Sequence, residues 1–273
     1  MHKYAKTKVR TTVITTAKNE YIKYIKKLQS KKSFRYEEKK FVLEGLRLVK
    51  DGIKNVSTVI LSESMQKEQL GFLNCAEVKT VSDSVFSAIS ETKSPQGIMA
   101  VADMPDACLT SIKTEKSIIV YCENISDPGN LGTIIRTADA AGCDAVVLDK
   151  CVDLYNPKTV RATMSSLFNV KICIADEAAA DYLKSKDICL VGTSPSADKV
   201  LYSEPLEAPS ALVIGNEANG ISDELLAKCD KCVKIPMFGA VESLNASVAA
   251  ALVIYDAVMQ RHNGGKYEIF GNS

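Results

Sequence analysis

From residue 117 onward, short apolar runs alternate with helical patterns, and this alternation restricts the fold more than any other feature of the chain. Ile118–Cys122, Ala145–Leu148, Val170–Ile174, Ile188–Gly192, Ala211–Gly215 and Cys232–Ile235 are brief and rich in Val, Ile and Leu. Segments at helical spacing separate most of them: Leu131–Ala141, Lys158–Phe168, Glu177–Lys184 and Asp223–Lys228. Runs that are apolar at nearly every residue, rather than at every second one, suit strands buried on both faces. The pattern therefore predicts an α/β domain over residues 117–273 built on a mostly parallel sheet covered by helices.

Residues 1–105 read as a smaller α/β domain and 106–116 as a polar linker. A Thr/Lys-rich strand-like or flexible piece opens the chain. Tyr21, Tyr24, Ile25 and Leu28 then follow a helical spacing with lysines between them. Phe41, Leu43, Leu46, Leu48 and Val49 predict a helix within 34–52, with Gly45 in its first turns and Gly52 beyond its end. Strands are expected at 58–61, 76–81 and 96–102, with helices at 65–73 and 82–90.

Charge divides along the same line. Residues 1–60 carry 16 Lys and Arg against 5 Asp and Glu, whereas the other 213 carry 18 against 28. A basic arm on an acidic body is the pattern of a protein that meets a polyanion, although a solvated lysine-rich surface reads the same way. Only His2 and His262 are available for histidine chemistry, and the pair Cys229/Cys232 lacks a second pair to complete a zinc site. Nine cysteines, mostly in apolar segments, fit reduced buried thiols. No run reaches the roughly 18–20 apolar residues of a membrane span, and the start of the chain lacks an apolar signal core. A cytoplasmic protein without a membrane partner and without a metal is expected.

Ligands of open parallel sheets bind beyond the carboxyl ends of the strands, and three loops at such ends carry unusual residues. The first begins Asn124-Ile-Ser-Asp127-Pro-Gly129-Asn130 and runs into a helix bearing Arg136. Asp127-Pro128-Gly129 reads as a turn and Asn130 as the helix N-cap. Arg136 lies off the buried stripe of Leu131, Ile134, Ile135 and Ala138. So close to a helix N-terminus it opposes the helix dipole, which gives it a task outside the helix or a surface ion pair. The second loop, Gly215-Asn216-Glu217-Ala-Asn219-Gly220, has the glycine spacing of a phosphate-binding loop. Ile221 stands where that loop needs lysine, and Glu217 would face a phosphate with a like charge. The third, Ile235-Pro-Met237-Phe-Gly-Ala-Val-Glu-Ser243-Leu244-Asn245, follows a strand and precedes a long alanine-rich helix that Ser243 can cap.

Taken together, Asn130…Arg136, Gly215-Asn216-Glu217…Gly220 and Ile235-Pro-Met…Ser243-Leu-Asn245 resemble the three signature motifs of SpoU/TrmH-class SPOUT methyltransferases, over residues 117–260 and in the right order. Phe41-Val-Leu-Glu44-Gly45 and Pro95-Gln96-Gly97-Ile98 resemble segments of that family's RNA substrate-binding domain. The resemblance implies a trefoil-knotted sheet and S-adenosylmethionine as cofactor, held by Gly215, Asn216, Ile235, Met237 and Leu244 with Gly192 and Thr193 nearby. It implies methylation of a ribose 2′-hydroxyl in structured RNA by a homodimer. Arg136 would be the base or, since free arginine stays protonated, the group that positions the hydroxyl. Asn130, Glu217, Ser243 and Asn245 would organise the pocket. Large-subunit ribosomal RNA is the expected substrate. The alternatives are a transfer-RNA ribose methyltransferase, a resistance-conferring ribosomal-RNA methyltransferase, a non-catalytic RNA-binding protein on the same fold and a nucleotide-phosphate binder.

Overall fold

The computed structural model describes residues 13–65, 70–73, 77–106, 108–112, 114–176, 178–206, 209–241 and 243–262. They form two compact units. The first runs to Met104 and includes Tyr155–Pro157; the second comprises Pro105–Leu154 and the chain from Lys158.

In the first unit, α1 (Glu20–Ser30) starts at Asn19, whose side chain accepts a hydrogen bond from the Tyr21 N–H. Next come α2 (Lys32–Glu38), β1 (Lys40–Glu44), α3 (Leu46–Asp51), β2 (Val56–Ser62), β3 (Glu77–Val81), α4 (Asp83–Ile89) and β4 (Ile98–Asp103). The sheet order is β1-β4-β2-β3, with β4 antiparallel to both neighbours and β2 parallel to β3. Ile22, Ile25 and Leu28 of α1 pack with Val85, Phe86 and Ile89 of α4 over Val42, Ile60, Met99 and Val101 of the sheet. The helix expected within 34–52 forms only over its second part, as α3 ending at Gly52. Phe41, Val42 and Leu43 instead pair with Ala102, Val101 and Ala100, and Gly45 at φ 106° turns the chain into α3. An apolar run buried on both sides carries no periodicity, so strand and helix could not be told apart there. Of the helix expected at 65–73, residues 66–69 lie outside the described residues and 70–73 form a turn rather than a helix; the Thr/Lys-rich start before residue 13 also lies outside them.

The second unit contains β5 (Ile118–Glu123), α5 (Pro128–Ala140), β6 (Ala145–Asp149), α6 (Pro157–Ala162) from Lys158 on, β7 (Lys171–Ala175), α7 (Ala179–Lys184), β8 (Cys189–Thr193), β9 (Lys199–Val200), β10 (Ser210–Ile214), α8 (Asp223–Lys228), β11 (Lys231–Lys234) and α9 (Ala246–His262). Every strand pair is parallel, in the order β7-β6-β5-β10-β8-β11-β9. The late strand β10 thus lies between β5 and β8. Ala179, Ala180 and Leu183 of α7 and Leu225 of α8 cover one face, against Ile119, Tyr121, Val147 and Val213. Helices α5 and α9 pack on each other, and α9 also meets β5 and β10. The edge strand β9 was not anticipated, since two residues give no pattern.

The helix expected across 158–168 stops at Ala162. Met164 and Ser165 adopt φ of 51° and 78°, and a short 3-10 turn replaces the rest. None of the described helices is long and apolar enough to cross a membrane.

Candidate functional site

Strand ends β5, β10 and β11 deliver the three loops to one place. Helix α5 begins two residues before Asn130: Asp127 is the cap, its Oδ1 accepting from the Asn130 N–H at 2.8 Å, and Pro128 takes the first helical position. Proline is favoured there because its φ is already helical and its missing N–H has no partner to lose. The expectation that Asn130 caps this helix is therefore corrected, and its side chain is left for longer-range contacts. Its Nδ2 donates to Glu217 Oε1, and its Oδ1 accepts from Asn245 Nδ2 at 3.0 Å.

Asn245, not Ser243, caps α9. Its Oδ1 accepts from the Ser247 N–H at 2.9 Å and the Ser247 hydroxyl at 2.6 Å, and its carbonyl accepts from Val248 and Ala249. One chain of side chains, Asn245–Asn130–Glu217, thus joins all three loops.

The loop after β10 is closed on itself. Asn216 and Gly220 exchange both backbone hydrogen bonds at 2.9 Å, and Asn216 Oδ1 accepts from the Ala218 and Asn219 N–H groups. Asn216 Nδ2 donates to the Asn124 carbonyl at 2.9 Å, tying this loop to the end of β5. Gly215 has no room for a side chain, because a Cβ there would lie 2.2 Å from the Gly220 carbonyl carbon. Glu123, at the end of β5, accepts from the Ser222 N–H at 2.7 Å and its hydroxyl at 2.6 Å, fixing the far side of the loop. Glu123 and Asn124 were not anticipated; no spacing rule links them to partners more than 90 residues away.

The loops after β8, β10 and β11 line a cavity of about 480 Å³, and the loop after β5 reaches it only through the bond from Asn130 to Glu217. Thr193, Gly215, Asn216, Ile235, Met237 and Leu244 all line it, together with Glu217, Ser243, Ile214 and Val233. Gly192 does not. A Cβ at that position would meet the sulfurs of Cys232 and Cys229 at 3.0 and 3.1 Å, so this glycine lets two strands and the start of a turn pack closely. Burial pushes the Cys229 thiol up to about 12, which suits a packing role.

Arg136 is not among the cavity's lining residues. It is exposed in the second half of α5, and the dipole argument from an N-terminal position does not apply. Six residues along a helix place it about 120° round and about 9 Å along from Asn130. Its side chain makes no hydrogen bond or ion pair with the described residues.

A family model described as the SpoU rRNA methylase family matches residues 117–255, and one described as an MRM3-like substrate binding domain matches 19–100. The chain is 37% identical over 248 residues to the 23S rRNA (guanosine(2553)-2'-O)-methyltransferase RlmP of Bacillus subtilis, covering 89% of this chain and 97% of that one. It is 32% identical over 207 residues to the 23S rRNA (uridine(2479)-2'-O)-methyltransferase of Streptomyces viridochromogenes, covering 72% of each. Among solved structures, the AdoMet-bound rRNA methyltransferase of Sinorhizobium meliloti matches with a TM-score of 0.83 at 29% identity, over 92% of this chain and 98% of that one. The three linked loops therefore have relatives along almost the whole chain, and the protein belongs to the SpoU rRNA methylase family.

Proposed function

We propose that the protein is an S-adenosylmethionine-dependent methyltransferase acting on a ribose 2′-hydroxyl of large-subunit ribosomal RNA. The observation that carries this reading is the side-chain relay from Asn245 through Asn130 to Glu217 at the cavity.

The cavity suits such a cofactor. Ile214, Val233, Ile235, Met237 and Leu244 offer apolar surface to a flat ring, and the loop after β10 offers backbone groups. Glu217 is the one charged residue among the described residues that line it. A lone carboxylate opposes a phosphate and favours a cation, so the nucleotide-phosphate alternative is disfavoured. When bound, the cofactor supplies an electrophilic methyl group on a sulfonium.

The chain's own residues then have to hold the acceptor and let its proton leave. Glu217 accepts from Asn130, which in turn is held by Asn245, so the carboxylate is fixed in orientation before any ligand arrives. Arg136 carries a planar cationic fork with no partner of its own in the described chain. We assign it the role of holding the ribose and its neighbouring phosphate, since a guanidinium is too weak an acid to act as a base at neutral pH. Ser243, exposed at the cavity, adds a hydroxyl to the same set.

A homodimer is part of the proposal. Val248 and Tyr255 on α9 are about half exposed, and Phe238 and Val241 in the preceding loop are 96% and 63% exposed. Apolar side chains so concentrated in one stretch support burial against a second copy. The eight described cysteines are all free, which supports action in the reducing cytoplasm.

Calorimetric titration with S-adenosylmethionine, ATP and RNA separates the readings. Binding of the first without metal, and methylation of a 2′-hydroxyl mapped in ribosomal RNA that is missing from a deletion strain, is the expected result. Binding of RNA without the cofactor would identify a non-catalytic RNA-binding protein.

A further inference from the structure

We propose that a cavity within the first unit binds an unpaired nucleobase, guanine in preference to the others, as a point of RNA recognition. The inference rests on the protein being an RNA methyltransferase, but it uses a different set of residues. The cavity measures about 380 Å³, within the roughly 300–1,000 Å³ of small-molecule pockets.

Two segments singled out in the sequence, around Glu44-Gly45 and Pro95-Gln96-Gly97, converge on it. The buried Glu44 carboxylate accepts from the Ser90 hydroxyl, from the Thr92 hydroxyl at 2.9 Å and from the Glu91 N–H at 3.2 Å, which fixes the loop leading to Gln96. Gln96 Oε1 accepts from the Leu46 N–H at 2.8 Å. Gly97, at φ 75°, lies so close to Ser62 that a Cβ would come within 2.5 Å of its hydroxyl. The site is therefore built into the folded unit.

Its walls and its polar groups divide cleanly. Leu46, Met65, Phe86 and Pro95 provide apolar surface, against which a flat ring can stack. Asp83 uses one carboxylate oxygen, Oδ1, to accept from the Ser64 N–H at 3.1 Å and hydroxyl at 2.8 Å. The Ser62 hydroxyl also supports this carboxylate, whose second oxygen still has lone pairs with which to accept, and with Gln96 Oε1 committed, the Gln96 amide nitrogen is left to donate. The Ser64 bonds hold the Asp83 carboxyl below the usual carboxylate range, so it is ionised and cannot donate.

A carboxylate lining the cavity turns phosphate away and selects N–H donors. Guanine presents two adjacent donors, N1–H and the 2-amino group, beside the O6 acceptor, and no other standard base offers that edge. Splayed bases read on that edge while stacked on side chains are the usual mode of single-stranded RNA recognition. Arg47, next to Leu46, and Lys93, two residues before Pro95, are exposed and can meet the flanking phosphates.

The test uses the full chain and 5′-labelled pentamers UUGUU, UUIUU and UUAUU, where inosine lacks only the 2-amino group, with affinities read by fluorescence anisotropy at low salt. The guanine pentamer should bind about 10-fold tighter than the adenine one, with inosine between them. Asp83→Asn should erase the difference, and Ser87→Leu, an exposed α4 position at the cavity, should weaken all guanine-dependent binding. S-adenosylmethionine affinity should be unchanged in both, and chemical denaturation followed by circular dichroism should show the first unit folded in each. Equal affinity for the three pentamers, or a guanine preference that survives both substitutions, overturns the inference. Loss of cofactor binding and methylation in the wild-type protein would instead overturn the reading of the function.

Discussion

Asn130 and Glu217, 87 residues apart in the chain, are joined by a direct hydrogen bond from the amide nitrogen of the first to the carboxylate of the second. The same Asn130 accepts from Asn245 through its other end, so one residue arbitrates between two loops. Its amide donates to one partner through nitrogen and accepts from the other through oxygen, which a carboxylate cannot do. Asn130→Asp should therefore be worse than Asn130→Ala, because it sets a second carboxylate against Glu217 and cannot donate when ionised. A charge-assisted hydrogen bond is worth about 1.5–3 kcal/mol, so kcat/KM should fall by roughly 10- to 100-fold with little change in thermal stability. Equal rates for Asn130→Asp and wild type would detach the relay from function.

Gly215 and Gly192 should separate by what they hold. Gly215→Ala must push the Gly220 carbonyl away by more than an ångström and so breaks the closed loop that lines the cavity. Cofactor affinity should drop at least 10-fold, through the shape of the loop rather than by direct blocking of the ligand. Gly192→Ala meets two sulfurs at 3.0–3.1 Å and should cost about 1–2 kcal/mol of stability while leaving cofactor affinity within a few fold. Calorimetric titration beside chemical denaturation distinguishes the two. Weakened binding in Gly192→Ala alone would return that glycine to the cofactor site.

Much of the second unit could be read in advance because the central parts of its strands are short runs of Val, Ile, Leu and Cys between turn residues. The same property hid β1, since Phe41–Leu43 carries no periodicity to separate strand from helix. Caps were misassigned where several capping residues stand close together. Asp127 and Asn130 both precede Leu131, and Ser243 and Asn245 both precede Ala246; the Asp127–Pro128 pair settles the first only once proline is placed inside the helix. Met164 and Ser165 take left-handed conformations without any glycine to announce them. The contacts of Glu123 with Ser222, of Asn216 with Asn124 and of Asp83 with Ser64 depend on tertiary proximity, which one sequence does not display.

Thiol chemistry gives a test of the packing. Cys108 is exposed, and its hydrogen bond with the Thr110 hydroxyl holds the thiol below its ordinary range. Burial pushes Cys143, Cys151 and Cys229 up to about 12 and Cys173 to about 11. As pH rises from 6 to 9, Cys108 should form thiolate first and alkylate first, while these four stay protonated and protected until the protein unfolds. Peptide mass mapping after a short iodoacetamide pulse at each pH measures the order. Early labelling of Cys229 would mean that its packing against Gly192 opens in solution.

The basic face of α1 should contribute to RNA affinity through charge. Lys26, Lys27 and Lys31 are exposed, and Lys27 lies 3.8 Å from the centre of the Phe34 ring. If each meets a phosphate, replacing all three by alanine should weaken binding uniformly and reduce the slope of log affinity against log salt by about 1 for each phosphate no longer neutralised. Cofactor affinity should not move. An unchanged slope would make this face a solvated surface only.

Arg136 carries the largest expected effect on rate with the smallest on structure. It is exposed in the second half of α5 and has no partner among the described residues, so Arg136→Ala should change stability by no more than about 0.5 kcal/mol. Cofactor affinity should also stay near the wild-type value, since Arg136 does not line the cavity. Methyl transfer should slow by roughly 100-fold or more, as it does when a positioning or electrostatic group is lost. Arg136→Lys keeps the charge but loses the planar fork that can bridge a hydroxyl and a phosphate, and should recover little. Single-turnover rates with cofactor and RNA both saturating isolate the chemical step from binding. Near-normal transfer in either variant would remove Arg136 from the mechanism and make Glu217, already fixed by Asn130, the next residue to test.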